Sequence, residues 1–363
     1  MKICVVVGTR PEIIKMSPII RYCEGKDVDY FILHTGQHYS YSMDKTFFED
    51  LKLPDVRYNL DVGSGRQGVQ TAKILKGTEG ILLEDRPDIV LVEGDTNSVF
   101  AAALASSKLR IKVGHVEAGL RSYDRTMPEE INRVLTDHIS DFLFCPTATA
   151  KENVLREGVD ERKIYVTGNT IVDAVIQHKE IATKKSKIID DLFLEKKKYI
   201  LVTAHRQENV DKKAKLQDII TALDWINKKY DIPIIYPMHP RTRNNLTEFK
   251  ITVPEPITLL DPLSFLDFLN LEANARLILT DSGGVQEESC ILNVPCVTLR
   301  ENTERPETID LKSNILASTD PERVLQSVDI MLNREKDWHN PFGNADAAYK
   351  IMDYIYQHLC VKK

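Results

Sequence analysis

The chain is poor in cysteine and has no cysteine pair at metal-binding or redox spacing. Its six cysteines among 363 residues include no Cys-x-x-Cys motif, which excludes the zinc-ribbon and thioredoxin-like classes. Most of them stand among Val, Ile, Leu or Phe, where a thiol behaves as a small core residue. We therefore expect reduced, buried thiols at Cys4, Cys23, Cys145, Cys290, Cys296 and Cys360.

Long apolar runs and an excess of positive charge are also missing. Nothing approaches the roughly 20 apolar residues that a membrane helix needs, and the first residues enter a strand pattern instead of an export signal. The 54 acidic and 48 basic residues leave a net charge of −6, which disfavours binding to nucleic acid. These absences predict a cytoplasmic protein that binds neither membrane nor nucleic acid.

The sequence does contain short β-rich runs that alternate with longer amphipathic stretches. Continuous apolar strands between helical stretches indicate parallel sheets covered by helices on both faces. Two such series predict an α/β fold with two Rossmann-like, doubly wound domains facing a central cleft. The predicted strands are Ile3–Val7, Tyr30–His34, Ile89–Val92, Val113–Glu117, Phe142–Cys145, Ile164–Thr167, Tyr199–Thr203, Ile232–Tyr236, Leu277–Thr280 and Cys296–Leu299.

The two series meet near residue 170, after the stretch Val-Thr-Gly-Asn. We predict a first domain over residues 1–169, a second over 170–344 and a final helix within 345–363 that packs back on the first domain. Ligands of doubly wound sheets bind at the carboxyl ends of the strands. The residues that follow the strands are therefore the candidate site residues.

Acidic residues converge on this edge in the first domain. Asp95 follows a predicted strand, Glu117 ends the next one, and Glu129 lies in a helix start, Pro-Glu-Glu. Capping or dipole compensation explains any one of them, but three from consecutive loops exceed what capping requires. Arg10 and Lys15 lie at the helix start after the first strand, where they form a candidate pyrophosphate site or are merely solvated.

The second domain carries the stronger anion-binding pattern. A predicted strand breaks into Ser282-Gly283-Gly284 before a helix, which exposes backbone N–H groups and the helix dipole to an anion. Glu288, early in that helix, can accept the hydroxyls of a ribose, and Arg305 adds positive charge for phosphates or for an ion pair.

Histidines follow two further strands of this domain. His205 and Arg206 end one strand, and His239 stands at an equivalent place after the next. An adjacent His and Arg can hold a phosphate and deliver a proton to it. A single histidine is more often structural, and two at strand ends favour a functional interpretation.

Eight motifs occur in the order typical of the non-hydrolysing UDP-N-acetylglucosamine 2-epimerases, so the whole chain resembles that family. The motifs are GTRPEIIK, EGDTNSV, HVEAGLRS, PEEINR, AHRQEN, HPRT, TDSGGVQEE and TERPE. The resemblance implies a glycosyltransferase-B-like fold, a homodimer, and interconversion of UDP-GlcNAc and UDP-ManNAc with no cofactor and no metal. The expected reaction eliminates UDP to give bound 2-acetamidoglucal and then adds UDP back.

The resemblance also implies roles for individual residues. The expected catalytic set is Asp95, Glu117, Glu129 and His205. The expected substrate-binding set adds Arg10, Lys15, Phe268, Ser282, Gly283, Gly284, Glu288 and Arg305 to Asp95, Glu117 and His205. A second UDP-GlcNAc acts as an activator in bacterial relatives, and its expected contacts here are Gln37, Arg66, Arg206 and His239.

The chain departs from the family pattern at Glu93, where an uncharged residue is expected, and at Met127, where an aromatic residue is expected. Three rival functions remain open at this point. A retaining glycosyltransferase would use the same UDP pocket, a hydrolysing epimerase would release UDP, and a nucleotide-sugar sensor would bind without turnover.

Overall fold

A computed structural model describes residues 1–37 and 41–359, so Cys360 lies outside the described residues. The chain forms two compact units. The first comprises Met1–Ile176 and the C-terminal segment from Phe342, and the second comprises Gln177–Pro341. The first unit extends to Ile176 because Asp173 accepts the backbone N–H groups of Ala347 and Ala348 at 3.3 and 3.1 Å.

The first unit is built on a seven-stranded parallel sheet in the order β3-β2-β1-β4-β5-β6-β7. Its strands are β1 (Lys2–Val7), β2 (Asp29–His34), β3 (Tyr58–Asn59), β4 (Ile89–Glu93), β5 (Lys112–Val116), β6 (Phe142–Cys145) and β7 (Ile164–Val166). The order of the strands across the sheet reverses between β1 and β4, as it does in a doubly wound fold.

The second unit repeats this pattern with six parallel strands in the order β10-β9-β8-β11-β12-β13. Its strands are β8 (Ile200–Thr203), β9 (Ile234–Pro237), β10 (Ile257–Leu260), β11 (Leu277–Thr280), β12 (Cys296–Thr298) and β13 (Asn314–Leu316). The prediction of two doubly wound α/β domains is confirmed.

Helices connect the strands of each sheet, and a 3₁₀ turn (Glu161–Lys163) precedes β7. The helices are α1 (Arg10–Gly25), α2 (Tyr41–Asp50), α3 (Gln67–Glu84), α4 (Asn97–Lys108), α5 (Pro128–Ile139), α6 (Ala148–Arg156), α7 (Thr170–Lys185), α8 (Ile188–Asp191), α9 (Gln207–Val210), α10 (Lys213–Tyr230), α11 (Pro240–Phe249), α12 (Phe265–Asn274), α13 (Gly283–Ile291), α14 (Pro306–Asp310), α15 (Pro321–Leu332) and α16 (Ala347–Leu359).

The central strands are almost wholly apolar because helices cover both of their faces. Residues Ile3–Val7 of β1 and Leu277–Thr280 of β11 are all buried. The cysteines share this environment, since Cys4, Cys23, Cys145, Cys290 and Cys296 are buried thiols. Across residues 1–37 and 41–359, none of the helices combines the length and the apolar character that crossing a bilayer requires.

The last helix, α16, packs within the first unit. Tyr349 of α16 meets Tyr22 of α1 edge to face, with 6.1 Å between the ring centres. The buried face of α16 is apolar and includes Ile351, Met352 and Ile355. The chain therefore returns to the first unit after completing the second.

Two glycines with the same backbone φ differ in the space around them. Gly119, in the turn after β5, has a φ of +84°, and a Cβ there would overlap the carbonyl oxygen of Ala150. Gly158, which follows α6, also has a φ of +84°, but a Cβ there would meet no neighbouring atom within 4 Å. Of these two, Gly119 is required by both its backbone conformation and close packing, and Gly158 by its backbone conformation alone.

We predict that Gly119→Ala lowers the free energy of unfolding by about 3 kcal/mol or more, because a backbone clash adds to the cost of a positive φ. The matched control Gly158→Ala carries only the backbone cost, about 1 kcal/mol. Urea unfolding of both variants measures the difference. Equal losses would contradict the packing argument.

Candidate active site

The segments that follow β1 and β4 carry Arg10 and Asp95 and lie where the order of the first sheet reverses. Ligands of doubly wound folds bind at this reversal. The guanidinium of Arg10 lies 5.6 Å from the ring centre of Phe47. Asp95 precedes α4, whose N-cap Thr96 accepts the N–H of Val99 at 3.4 Å, and its side chain is 30% exposed. Both residues are therefore placed at the ligand-binding edge of the sheet.

Lys15 lies against two buried carboxylates at this edge. Its ammonium forms an ion pair and hydrogen bond with Glu117, and its Nζ lies 3.4 Å from Oε1 of Glu93. All three side chains are buried. Lys15 was predicted as a ligand of the nucleotide sugar, and here its charge stabilises acidic neighbours on β4 and after β5.

Glu93 is the most strongly perturbed acid of this group. Burial raises its pKa well above the usual value, the Lys15 ammonium opposes that rise, and the carboxyl groups of Glu117 and Glu12 raise the pKa further. With its pKa raised in this way, Glu93 keeps its proton at a pH at which an exposed glutamate has lost it. The chain thus keeps a proton source at the end of β4.

Glu12 is a second buried acid that the sequence patterns did not single out. One carboxyl oxygen accepts the N–H of Gly8 at 2.6 Å, and the other lies 2.6 Å from the hydroxyl of Thr96. Burial raises the pKa of Glu12 to about 7, although these hydrogen bonds act to lower it. Its carboxyl group therefore links the segments that follow β1 and β4.

Helix α5 supplies the partners of Asp95. The Arg133 guanidinium forms an ion pair with Asp95 and a second one with Glu130 at 2.7 Å. The side-chain amide of Asn132 donates to the backbone carbonyl of Asp95 at 3.0 Å. Glu129 precedes Arg133 by four residues, one helical turn, so both lie on the same face of α5. The structure thus brings Glu129 to the side of α5 that contacts Asp95.

A buried network fixes the backbone of the two segments that carry Asp95 and Glu117. The ring nitrogens of His115 lie 2.7 Å from an Asp137 oxygen and 2.8 Å from the Gly94 carbonyl oxygen. Asp137 also accepts the N–H of Gly119 at 3.2 Å and pairs with Arg121 at 2.7 Å. Burial acts to raise the pKa of Asp137, but His115 and Arg121 outweigh it and lower this pKa.

In the second unit, Asp281 organises the segment that carries His205. Asp281 follows β11, is fully buried, and accepts the backbone N–H groups of His205 and Arg206 at 3.0 and 2.9 Å. The side-chain amide of Asn209 donates to Asp281 at 3.2 Å and to the carbonyl of Leu299 at 2.9 Å. With its backbone held in this way, His205 presents a side chain that is 46% exposed.

The predicted phosphate-binding turn lies at the N-terminus of α13. Ser282 is the N-cap residue, and Gly283 and Gly284 form the first helical positions. A Cβ on Gly283 would lie 3.6 Å from the guanidinium of Arg305, so that cation stands beside the positive end of the helix dipole. Arg305 also pairs with the buried Glu287 at 2.9 Å. This arrangement suits an anion.

Glu288, the predicted ribose ligand, contacts a fully buried second glutamate. Burial and the neighbouring Glu288 raise the pKa of Glu272 well above its usual value. Glu272 lies on α12, one turn after Phe268, the predicted neighbour of the uracil, which is half-buried. Helices α12 and α13 therefore carry the two predicted nucleoside contacts.

The four expected activator contacts are divided between the units. In the first, Gln37 is buried and accepts the N–H of Ser98 at 2.9 Å, whereas Arg66 is the exposed N-cap of α3. In the second, Arg206 and His239 are the N-cap residues of α9 and α11. Gln37 is thus part of the internal hydrogen bonding, and the other three occupy helix starts.

Several supporting residues were not predicted because their partners are distant in sequence. Arg133 reaches Asp95 across 38 positions and Asp281 reaches Arg206 across 75. Within residues 1–37 and 41–359, no group of three or more His, Cys, Asp or Glu side chains is arranged to hold a metal ion.

Glu12 makes stability depend on pH in a direction opposite to that of a salt-bridged acid. Its pKa is raised from 4.5 to about 7, so between these two pH values the folded state keeps a proton that the unfolded chain has lost. This proton binding adds to the free energy of unfolding at low pH, and the contribution is lost as pH rises through about 7. We predict that Glu12→Gln lacks this dependence. Between pH 4.5 and pH 8, the free energy of unfolding of the variant rises by up to about 3 kcal/mol relative to that of wild type.

Urea unfolding at several pH values measures this difference. Exposed Glu84, at the end of α3, supplies the matched control Glu84→Gln, which keeps the pH dependence of wild type. A constant difference between wild type and Glu12→Gln across that range would contradict the raised pKa.

Comparison with known proteins gives a consistent result. Residues 21–356 match the sequence profile described as UDP-N-acetylglucosamine 2-epimerase. The UDP-N-acetylglucosamine 2-epimerase of Methanocaldococcus jannaschii is 54% identical over 97% of this chain and 98% of its own length. The UDP-2,3-diacetamido-2,3-dideoxy-D-glucuronate 2-epimerase of Pseudomonas aeruginosa is 37% identical over 98% of this chain and 99% of its own length.

The fold agrees as well. The crystal structure of the M. jannaschii UDP-GlcNAc 2-epimerase in complex with UDP-GlcNAc and UDP superimposes with a TM-score of 0.93 at 53% identity. The match covers 98% of this chain and all of that one. The profile match covers Asp95, Glu117, Glu129 and the anion-binding turn of the second unit, and the identities and the superposition extend over nearly the whole chain. The chain belongs to the UDP-N-acetylglucosamine 2-epimerase family.

Proposed function

We propose that this protein catalyses the reversible C2 epimerisation of UDP-N-acetylglucosamine to UDP-N-acetylmannosamine by eliminating UDP and adding it back. The observation that carries the proposal is the set of carboxyl groups at the switch point of the first sheet, in a chain of this family. Asp95, Glu117 and Glu129 supply groups that can take and return a proton there. A site built only to bind a diphosphate would favour cations instead.

Elimination solves a chemical difficulty at C2. The hydrogen on C2 is not acidic, because the neighbouring amide nitrogen offers no enolate to hold the charge. When the bond between C1 and the phosphate oxygen breaks, its electron pair leaves with UDP and positive charge develops at C1. A base then removes the C2 proton, and the electron pair of the C2–H bond forms the C1=C2 double bond of 2-acetamidoglucal.

The return half of the reaction sets the new configuration. A proton is delivered to the opposite face of C2, and an oxygen of the β-phosphate attacks C1 to restore the bond. Two acid/base groups on opposite faces of the ring are therefore required. Asp95 and Glu117 have different cations as partners, Arg133 and Lys15, which supports separate roles for them.

The second unit supplies the groups that hold UDP. Ser282, Gly283 and Gly284 present the helix N-terminus to the diphosphate, and the Arg305 guanidinium beside it adds positive charge. Glu288 accepts the ribose hydroxyls. His205 stabilises or protonates departing UDP, a role that its exposed side chain on a fixed backbone supports.

Three expected roles complete the substrate and activator contacts. Arg10 and Lys15 bind the nucleotide sugar in the first unit, and Phe268 lies beside the uracil. A second UDP-GlcNAc acts as an activator through Gln37, Arg66, Arg206 and His239. The chain works as a homodimer in the cytoplasm.

A proton NMR time course on UDP-GlcNAc in D2O tests the reaction. We expect UDP-ManNAc with deuterium at C2, no accumulation of free UDP, and the same rate with EDTA present. Asp95→Asn keeps the size of the side chain but lacks the carboxylate, so it is the inactive control.

The same experiment separates the rivals. Stoichiometric release of UDP would indicate a hydrolysing epimerase, and transfer to an added sugar would indicate a glycosyltransferase. An unchanged substrate would leave only a sensor. A product without deuterium would rule out proton exchange. A parallel run with UDP-2,3-diacetamido-2,3-dideoxy-D-glucuronate tests the other activity named in this family.

A further inference from the structure

Glu93 is the second carboxyl group, besides that of Glu117, in contact with the Lys15 ammonium. It ends β4, two residues before Asp95, and only 2% of its surface is exposed. Its Oε1 lies 3.4 Å from Lys15 Nζ and accepts no hydrogen bond from any side chain or backbone group in residues 1–37 and 41–359. The proposed reaction assigns it no role.

The charges around Glu93 do not balance when every acid is ionised. Helix α1 contributes Lys15 and Glu12, and the segment after β5 contributes Glu117. The end of β1 is Val5–Val7 and α4 begins with Asn-Ser-Val, so neither element places a charged side chain here. His115 of β5 contacts the carbonyl oxygen of Gly94 through Nε2. Among the described residues that act on Glu93, the ionised cluster would therefore set three buried carboxylates against the Lys15 ammonium.

Buried charges without partners are costly, so such a cluster takes up protons instead. Glu12 has its own hydrogen bonds to Gly8 and Thr96, whereas Glu93 and Glu117 both contact the ammonium of Lys15. Both acids are buried, so ionising the two of them against this ammonium would leave a buried negative charge without compensation. One proton on that pair leaves a single carboxylate against the single ammonium.

We propose that Glu93 and Glu117 share one proton beside Lys15, and that Glu93 is a positioning residue that keeps Glu117 able to deliver a proton to the sugar. This rests on the proposed epimerase function, in which Glu117 is one of the catalytic acids. Glu93 itself acts through Glu117 and does not touch the substrate.

The shared proton predicts how activity depends on pH. When pH rises far enough to remove it, Glu117 has no proton to deliver and two carboxylates repel each other across Lys15. Activity therefore falls on the alkaline side. Glutamine at position 93 can donate an N–H to Glu117 but removes the like charge, so Glu117 next to Lys15 loses its proton at a lower pH.

The test compares kcat against pH for wild type, Glu93→Gln and the exposed control Glu84→Gln. We expect the alkaline limb of Glu93→Gln to move to lower pH by about 1 unit or more, while its maximal kcat stays within about threefold of wild type. Glu84→Gln should reproduce the wild-type profile, and Glu117→Gln should be inactive throughout. Coincident alkaline limbs for wild type and Glu93→Gln would overturn the proposal.

A second measurement needs neither turnover nor a folded variant at position 93. In wild-type protein with carbon-13 in the glutamate carboxyl groups, the resonances of Glu93 and Glu117 should titrate together and lose one proton between them. Full ionisation of both at neutral pH would overturn proton sharing. If wild type fails to convert UDP-GlcNAc, the proposed function fails, and this titration alone decides whether the proton is shared.

Discussion

The first unit depends on burying more carboxyl groups than cations at one edge of its sheet. Lys15 faces Glu93 and Glu117, and Arg133 faces Asp95 and Glu130, so each of these two cations serves two acids. Because transfer of unpaired charge out of water is unfavourable, burial raises the pKa values of Glu93 and Glu12, and these two acids hold protons at a pH where exposed acids have lost them. That property is what a reaction requiring proton exchange at an unactivated carbon needs.

Both units use a buried aspartate to fix the backbone of a functional segment. Asp137 accepts the N–H of Gly119 and contacts His115, which in turn reaches the Gly94 carbonyl, next to Asp95. Asp281 accepts the N–H groups of His205 and Arg206. In each case the candidate catalytic side chain follows a strand, and the buried aspartate stabilises the backbone of that region with charge-assisted hydrogen bonds.

The central strands could be predicted from the sequence, but three of the four edge strands of the two sheets could not. Phe142–Cys145 and Leu277–Thr280 were predicted with their observed bounds, because buried parallel strands read as continuous apolar runs. Three strands at sheet edges, β3, β10 and β13, were missed. Each is only two to four residues long and is paired on one side, so it lacks a long apolar run. The local sequence pattern was enough to single out the acids after β4 and β5 as candidates. It could not predict the pairing of Lys15 with Glu117, because these residues are 102 positions apart and meet only in the tertiary structure.

The proposed reaction requires that the bond between C1 and the diphosphate breaks while UDP stays bound. UDP-GlcNAc carrying oxygen-18 in the bridge between C1 and the β-phosphorus tests it directly. If the bond breaks, the β-phosphate can rotate before C1 is attacked again, so the account predicts label in the non-bridging β-oxygens of both recovered UDP-GlcNAc and UDP-ManNAc. Label that stays wholly in the bridge while C2 inverts would contradict elimination.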